Sequence, residues 1–143
     1  MIIYKQGSLF DSSADVYVNC VNCVGVMGKG IALEFKGKYP EMFYWYKERC
    51  LNGDIVKGRL TSYRENGKVI VLFPTKNHWR DKSYLIDIRY GLEDFVDWAQ
   101  TYNFKSAAFP KLGCGLGGLD WQEVQPLMEK YLESLDCVCE IYV

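Results

Sequence analysis

Phe109-Pro110-Lys111-Leu112-Gly113-Cys114-Gly115-Leu116-Gly117-Gly118-Leu119-Asp120-Trp121 is the stretch whose reading decides the fold. The apolar residues Ala107 and Ala108 lead into it, four glycines fill its middle, and a helical pattern follows. Strand, glycine loop and helix together form an arrangement that holds a phosphate. Glycine lets the backbone take positive φ and approach a ligand closely, and the freed N–H groups and the helix N-terminus then face an anion. No Gly-Lys-Ser/Thr closes the run, so it is not a Walker loop, and it is not a first-strand dinucleotide fingerprint. A tight structural turn would be rich in glycine too. One such loop does not decide the matter.

A second one lies near the N-terminus. Asp15 to Asn22 is a near-continuous β-rich run, the pattern of a strand buried on both faces. It ends in Gly25-Val26-Met27-Gly28-Lys29-Gly30, after which Ile31-Ala32-Leu33-Glu34-Phe35 starts a helix. Ligands of α/β sheets sit outside the carboxyl ends of the strands, where loops converge. Two glycine loops, each leading to a helix N-terminus, are expected to grip a diphosphate from both sides. Asn22 places a carboxamide at the base of the first loop, suited either to sugar hydroxyls or to an ordinary strand-end turn.

Around these loops the chain alternates strands and helices. Ile2 to Lys5 reads as a strand, and Leu60–Tyr63 with Val69–Phe73 as a hairpin turning at Glu65-Asn66-Gly67. Pro40 interrupts the first helix, and a second runs from Glu41 to Cys50. Leu85, Ile88, Leu92, Phe95, Val96 and Ala99 share one helical face, with Ser83 as the expected N-cap. Asp120-Trp121-Gln122-Glu123 has the form of a capping box. Pro126 implies either a kink or a helix that begins there. Cys137 to Val143 closes the chain as a strand. The alternation predicts one α/β layer fold.

Bulk composition narrows the function classes. The 143 residues form one domain by size, and a formal net charge of -1 without single-sign runs argues against an extended duplex-DNA surface. No apolar segment has transmembrane length and Met1 leads directly into a strand pattern, so a cytoplasmic protein with no membrane partner is expected. Six cysteines and one histidine lack the spacing of a metal site. No metal and no cofactor are therefore expected. Cys137 and Cys139, two apart in a strand, should face one side of the sheet. Cys114, among backbone donors, could have a lowered thiol pKa, although a small loop residue is the simpler reading.

Val18-Asn19-Cys20-Val21-Asn22, Gly28-Lys29-Gly30-Ile31-Ala32 and Pro110 to Gly118 together resemble the macrodomain, the ADP-ribose-binding family. The resemblance covers essentially the whole chain, residues 1–143, and implies a three-layer α/β/α fold with a central mixed sheet. Phe73-Pro74-Thr75-Lys76-Asn77-His78-Trp79-Arg80-Asp81-Lys82-Ser83 is similar to the macrodomains of the DarT–DarG toxin–antitoxin type, which remove ADP-ribose from thymidine in DNA. It also resembles the terminal ADP-ribose protein glycohydrolase, whose catalytic lysine falls at Lys76. The resemblance implies that Ser8 and Leu9 meet the adenine, although many relatives carry Asp where Ser8 stands. It puts the distal ribose on Asn22, which joins Lys76 as a catalytic candidate. Thr75, Gly28, Lys29, Gly30, Ile31 and Ala32, with Pro110, Leu112, Gly113, Cys114, Gly115, Leu116, Gly117 and Gly118, would enclose the rest of ADP-ribose. Where the terminal protein glycohydrolase has a catalytic Asp, this chain has Gly117, which favours the thymidine-type branch. Asp120 reads as a helix cap rather than a displaced substitute.

Cleavage of a ribosyl bond usually employs two carboxylates. No such pair stands near the loops, so Lys76 is the candidate, either attacking the anomeric carbon or supplying a proton to the leaving group. His78 is expected to be structural or substrate-positioning, Trp79 either to stack on a base or to pack, and Arg80 and Lys111 to be available to phosphates. The tyrosines from Tyr39 to Tyr46 and Trp45 read as core and helix surface. Three functions stay open: a hydrolase releasing ADP-ribose from thymidine in single-stranded DNA or from protein carboxylates, a non-enzymatic ADP-ribose reader, and a hydrolase of O-acetyl-ADP-ribose or ADP-ribose 1″-phosphate. A monomer without a second module is expected.

Overall fold

A computed structural model describes residues 1–143. Its six strands are β1 (Ile2–Lys5), β2 (Val16–Asn22), β3 (Thr61–Glu65), β4 (Lys68–Lys76), β5 (Ser106–Phe109) and β6 (Val138–Tyr142). The helices are α1 (Gly30–Lys38), α2 (Pro40–Leu51), α3 (Leu85–Thr101) and α4 (Trp121–Leu132), and a single 3-10 turn spans Leu9–Asp11. One mixed sheet runs in the order β1-β6-β5-β2-β4-β3. Only the β3–β4 pairing is antiparallel, made by the expected hairpin with Asn66 and Gly67 at positive φ. The other pairings are parallel, so β1, β6, β5, β2 and β4 all end at one edge.

Alternation along β2 builds the two cores. Val16 and Val18 join Phe95, Phe109, Val124 and Met128 under α3 and α4. Tyr17 and Val21 face the other way, onto Phe35, Met42 and Tyr46 of α1 and α2. The α/β/α arrangement follows from that period of two. Gly91 lets α3 lie against the sheet, because a Cβ there would fall on the Phe73 ring. The connection after β2 leaves to the α1–α2 face and the one after its neighbour β5 to the α3–α4 face, so a crevice opens between their carboxyl ends.

Several local expectations change. The N-cap of α3 is Tyr84, not Ser83, and supplies no side-chain bond. Ser83 is held out of the capping position because its N–H donates to the Gly117 carbonyl at 2.9 Å. Pro40 is the first residue of α2 rather than only a break, consistent with the N–H it lacks being one no helix start requires. The N-terminus of α2 is capped at a distance in sequence, by buried Glu65, whose Oε1 accepts from the Met42 N–H at 2.8 Å. Helix α4 starts at Trp121 and runs through Pro126. Its Asp120 carboxylate accepts from the Gln122 N–H at 2.9 Å, while the Glu123 N–H goes to the Asp120 carbonyl. Asp120 is thus a helix cap, as expected. Cys137 and Cys139 do share a face, with Sγ atoms 3.8 Å apart.

Candidate functional site

A cavity of about 660 Å³ opens in the crevice between β2 and β5, lined by 19 residues. A second, of about 440 Å³, lies beside it and shares Ile31, Pro110 and Tyr142 with the first. Leu9 and Ser8 line the second space. The Ser8 hydroxyl accepts from the Phe10 N–H at 3.2 Å and so starts the 3-10 turn that shapes this wall.

The first glycine loop is tied down by side chains. Asn22 is buried, and its Oδ1 accepts from the Tyr46 hydroxyl at 2.8 Å and the Val24 N–H at 3.1 Å. Its Nδ2 donates to the Val26 carbonyl at 2.8 Å. The oxygen is saturated, so towards a ligand the carboxamide retains only its second N–H. The turn reading of Asn22 is what these bonds show, and the one N–H they leave is the carboxamide's remaining capacity for a ligand. Beyond the loop, α1 begins with Lys29 as N-cap and no side-chain capping bond. The N–H groups of Gly30, Ile31 and Ala32 are orphaned as in any first turn, and those three residues line the cavity.

The second loop is held by packing. Gly113 has φ of 71°, and a Cβ on Gly117 would overlap the Ser83 hydroxyl and the Gly113 carbonyl. A catalytic Asp at 117 has no room here, which gives a steric reason for the glycine. Gly115, Leu116 and Gly117 line the cavity, and their N–H groups donate to no backbone acceptor. Helix α4 was expected to add its N-terminus to this grip. In the structure Asp120 caps that end by accepting the Gln122 N–H, and neither Asp120 nor Trp121 lines the cavity. Leu112, Cys114 and Gly118 do not line the cavity; Leu112 is fully buried and Cys114 packs against the core under α3 and α4. Burial raises the Cys114 thiol instead of lowering it. Cys20, which lines the cavity floor, is pushed up to about 12 by burial. Both shifts favour the protonated thiol over the thiolate.

Lys76 ends β4 in register with Asn22 at the end of β2, across a bulge between Val21 and Asn22. Its Nζ donates to the Trp79 carbonyl at 3.2 Å and forms no ion pair with an acidic side chain. Thr75, buried beside it, lines the same wall. The charge of the lining is one-sided: Lys29, Lys76 and Lys111 are present and no Asp or Glu is. A chain with net charge -1 has therefore gathered three cations around this cavity.

A model of the Macro domain family matches residues 18–128. The chain belongs to the macrodomain family. A Mycobacterium tuberculosis protein named DNA ADP-ribosyl glycohydrolase is 44% identical over 147 residues, covering 99% of this macrodomain and 42% of that relative. This macrodomain thus spans well under half the length of that curated relative. The macrodomain of Mycobacterium tuberculosis DarG superposes with a TM-score of 0.94 at 44% identity, covering 99% of this chain and 97% of that one. Thermosipho africanus DarTG, solved in complex with ADP-ribose, superposes at 0.93 with 35% identity over 99% of this chain and 41% of that one.

Val26, Val21, Cys20 and Tyr142 also line the cavity of this macrodomain and escaped sequence reasoning. Tyr142 carries no local signal, since only the strand order brings the end of β6 to this edge. No group of three or more His, Cys, Asp or Glu side chains stands close enough to hold a metal, and no helix is long and apolar enough to cross a membrane.

Proposed function

We propose that this macrodomain is an ADP-ribosyl glycohydrolase that releases ADP-ribose from thymidine in DNA, with Lys76 as the catalytic group. The observation that carries this reading is a lysine on the wall of a cavity with three cations, unpaired backbone donors and no carboxylate. The Gly30–Ala32 N–H groups and the Gly115–Gly117 N–H groups take the pyrophosphate, with the α1 dipole adding to the attraction. Ser8 and Leu9 frame the adenine in the adjoining space, and the free N–H of Asn22 holds a distal ribose hydroxyl. The anomeric carbon then faces Lys76 Nζ. With no acid pair available, the amine does the work that carboxylates do in other glycosidases. The M. tuberculosis relative's name supports DNA as the acceptor, and the space denied to an Asp at 117 supports a mechanism without that second residue.

The test is an oligonucleotide carrying one ADP-ribosyl-thymidine. Lys76→Ala should lower kcat by at least about 100-fold, the scale of losing a positioned acid, base or nucleophile. Its affinity for ADP-ribose by calorimetry should stay within about threefold, since the anion donors are backbone groups. Equal turnover by Lys76→Ala would remove the lysine from the mechanism. Cyanoborohydride trapping separates its two roles, because a lysyl-sugar adduct forms only when Nζ attacks carbon.

A further inference from the structure

One large aromatic side chain at the cavity mouth has no role in holding ADP-ribose as described above. Trp79 is 44% exposed, although a tryptophan usually buries most of its ring. The turn that presents it is closed on itself. Asp81 accepts the His78 N–H at 3.0 Å through Oδ2, and the Asp81 N–H returns to the His78 carbonyl at 3.0 Å. His78 Nδ1 accepts the Arg80 N–H at 3.1 Å, and the His78 ring lies 5.0 Å from the Trp79 ring. The Arg80 guanidinium sits 4.5 Å from the Trp79 centroid. The Asp81 carboxylate is thus engaged by the His78 N–H, while Arg80 and the neighbouring Lys82 are exposed.

We propose that the His78–Arg80 turn is the acceptor subsite, in which Trp79 takes the nucleobase bearing the ADP-ribose and Arg80 takes the adjoining phosphodiester of a single DNA strand. The inference rests on the glycohydrolase reading and adds the residue that selects the acceptor. Lys76 Nζ donates to the backbone carbonyl of Trp79, and both residues line the one cavity, so an acceptor group joined to the sugar beside that amine lies next to Trp79. An indole with a guanidinium against it offers the two surfaces that bases in single strands use, an aromatic face and a cationic plane. The cations match a polyanionic strand. A protein carboxylate acceptor gives the ring nothing to stack on.

The experiment measures steady-state cleavage of an ADP-ribosyl-thymidine oligonucleotide and of a glutamate-linked ADP-ribosyl protein by wild type, Trp79→Ala, Trp79→Phe and Arg80→Gln. Trp79→Ala should raise KM for the oligonucleotide roughly tenfold or more, the worth of one base stack. Most of this loss should return in Trp79→Phe, and kcat should change far less than KM. Arg80→Gln should flatten the salt dependence of KM for the oligonucleotide by about one phosphate contact. If the wild type cleaves the oligonucleotide and Trp79→Ala matches its KM, the subsite is wrong while the glycohydrolase reading stands. If Trp79→Ala weakens free ADP-ribose in calorimetry as much as it weakens the oligonucleotide, Trp79 is a wall of the ligand cavity and not an acceptor platform. If the wild type cleaves only the glutamate-linked protein, the DNA reading and the subsite fall together.

Discussion

The two glycine loops look alike in sequence and differ in what holds them and what they offer. The loop after β2 is fastened by Asn22 and Tyr46 and ends at an uncapped helix, so α1 contributes a dipole and three first-turn N–H groups. The loop after β5 is fastened by contact with Ser83 and ends before a helix that Asp120 has already capped. It contributes bare loop N–H groups and no dipole. A helix end is available to a ligand only when the chain leaves it unsatisfied. Glycine content does not report which end that is; the residue at N-cap does, Lys29 in one case and Asp120 in the other.

The largest effect should come from Gly117→Asp. Its side chain collides with Ser83 and the Gly113 carbonyl, so a stability loss of about 3 kcal/mol is expected, at the upper end of overpacking. ADP-ribose affinity should fall by two orders of magnitude or so in calorimetry, and Ser83→Gly in the same chain should recover part of the melting temperature. Lys29→Asp tests the open helix end. An Asp at this position caps α1, so stability should hold or rise by about 1 kcal/mol, while the added carboxylate repels the diphosphate and affinity drops by roughly tenfold or more. A rise in stability together with a loss of binding is the signature that an orphaned helix start serves the ligand.

Asn22→Ala leaves the Val24 N–H without its acceptor and the Val26 carbonyl without its donor, while the Tyr46 hydroxyl keeps only the residue-22 backbone carbonyl. Denaturant unfolding should report a loss of about 2–3 kcal/mol, the cost of stranding buried polar groups. Tyr46 stays protonated throughout the physiological range, because burial raises its pKa, so this fastening should be insensitive to pH. The smallest effect is expected for Asp120→Ala. Removing that cap should cost about 1 kcal/mol of stability and leave ADP-ribose affinity unchanged. A change in affinity would mean that α4 does face the ligand, and the contrast between the loops would fail.

Much of this molecule was legible in contiguous residues. The hairpin at Asn66-Gly67, the period of the α3 face and both glycine loops follow from patterns that a few neighbouring residues carry, because turn dihedrals and side-chain periodicity are local properties. The family and the three-layer fold were legible for the same reason. Lys76 stood out through the residues beside it. Misreadings occurred where a distant partner overrode a local preference. Ser83 has the chemistry of an N-cap, but its N–H is claimed by the Gly117 carbonyl; the Glu65 cap of α2, supplied from another element, had no local signal to read.

By itself, then, the chain's sequence determined the elements, their amphipathic faces and the two flexible loops, all set by residue type and spacing over a few positions. Tertiary structure alone decided that β2 and β5 lie side by side, that Tyr142 and Trp79 reach one cavity, and that one helix end is open and the other shut. These depend on contacts between residues tens of positions apart. Such contacts are fixed by strand order and close packing, for which no stretch of neighbouring residues carries a signal.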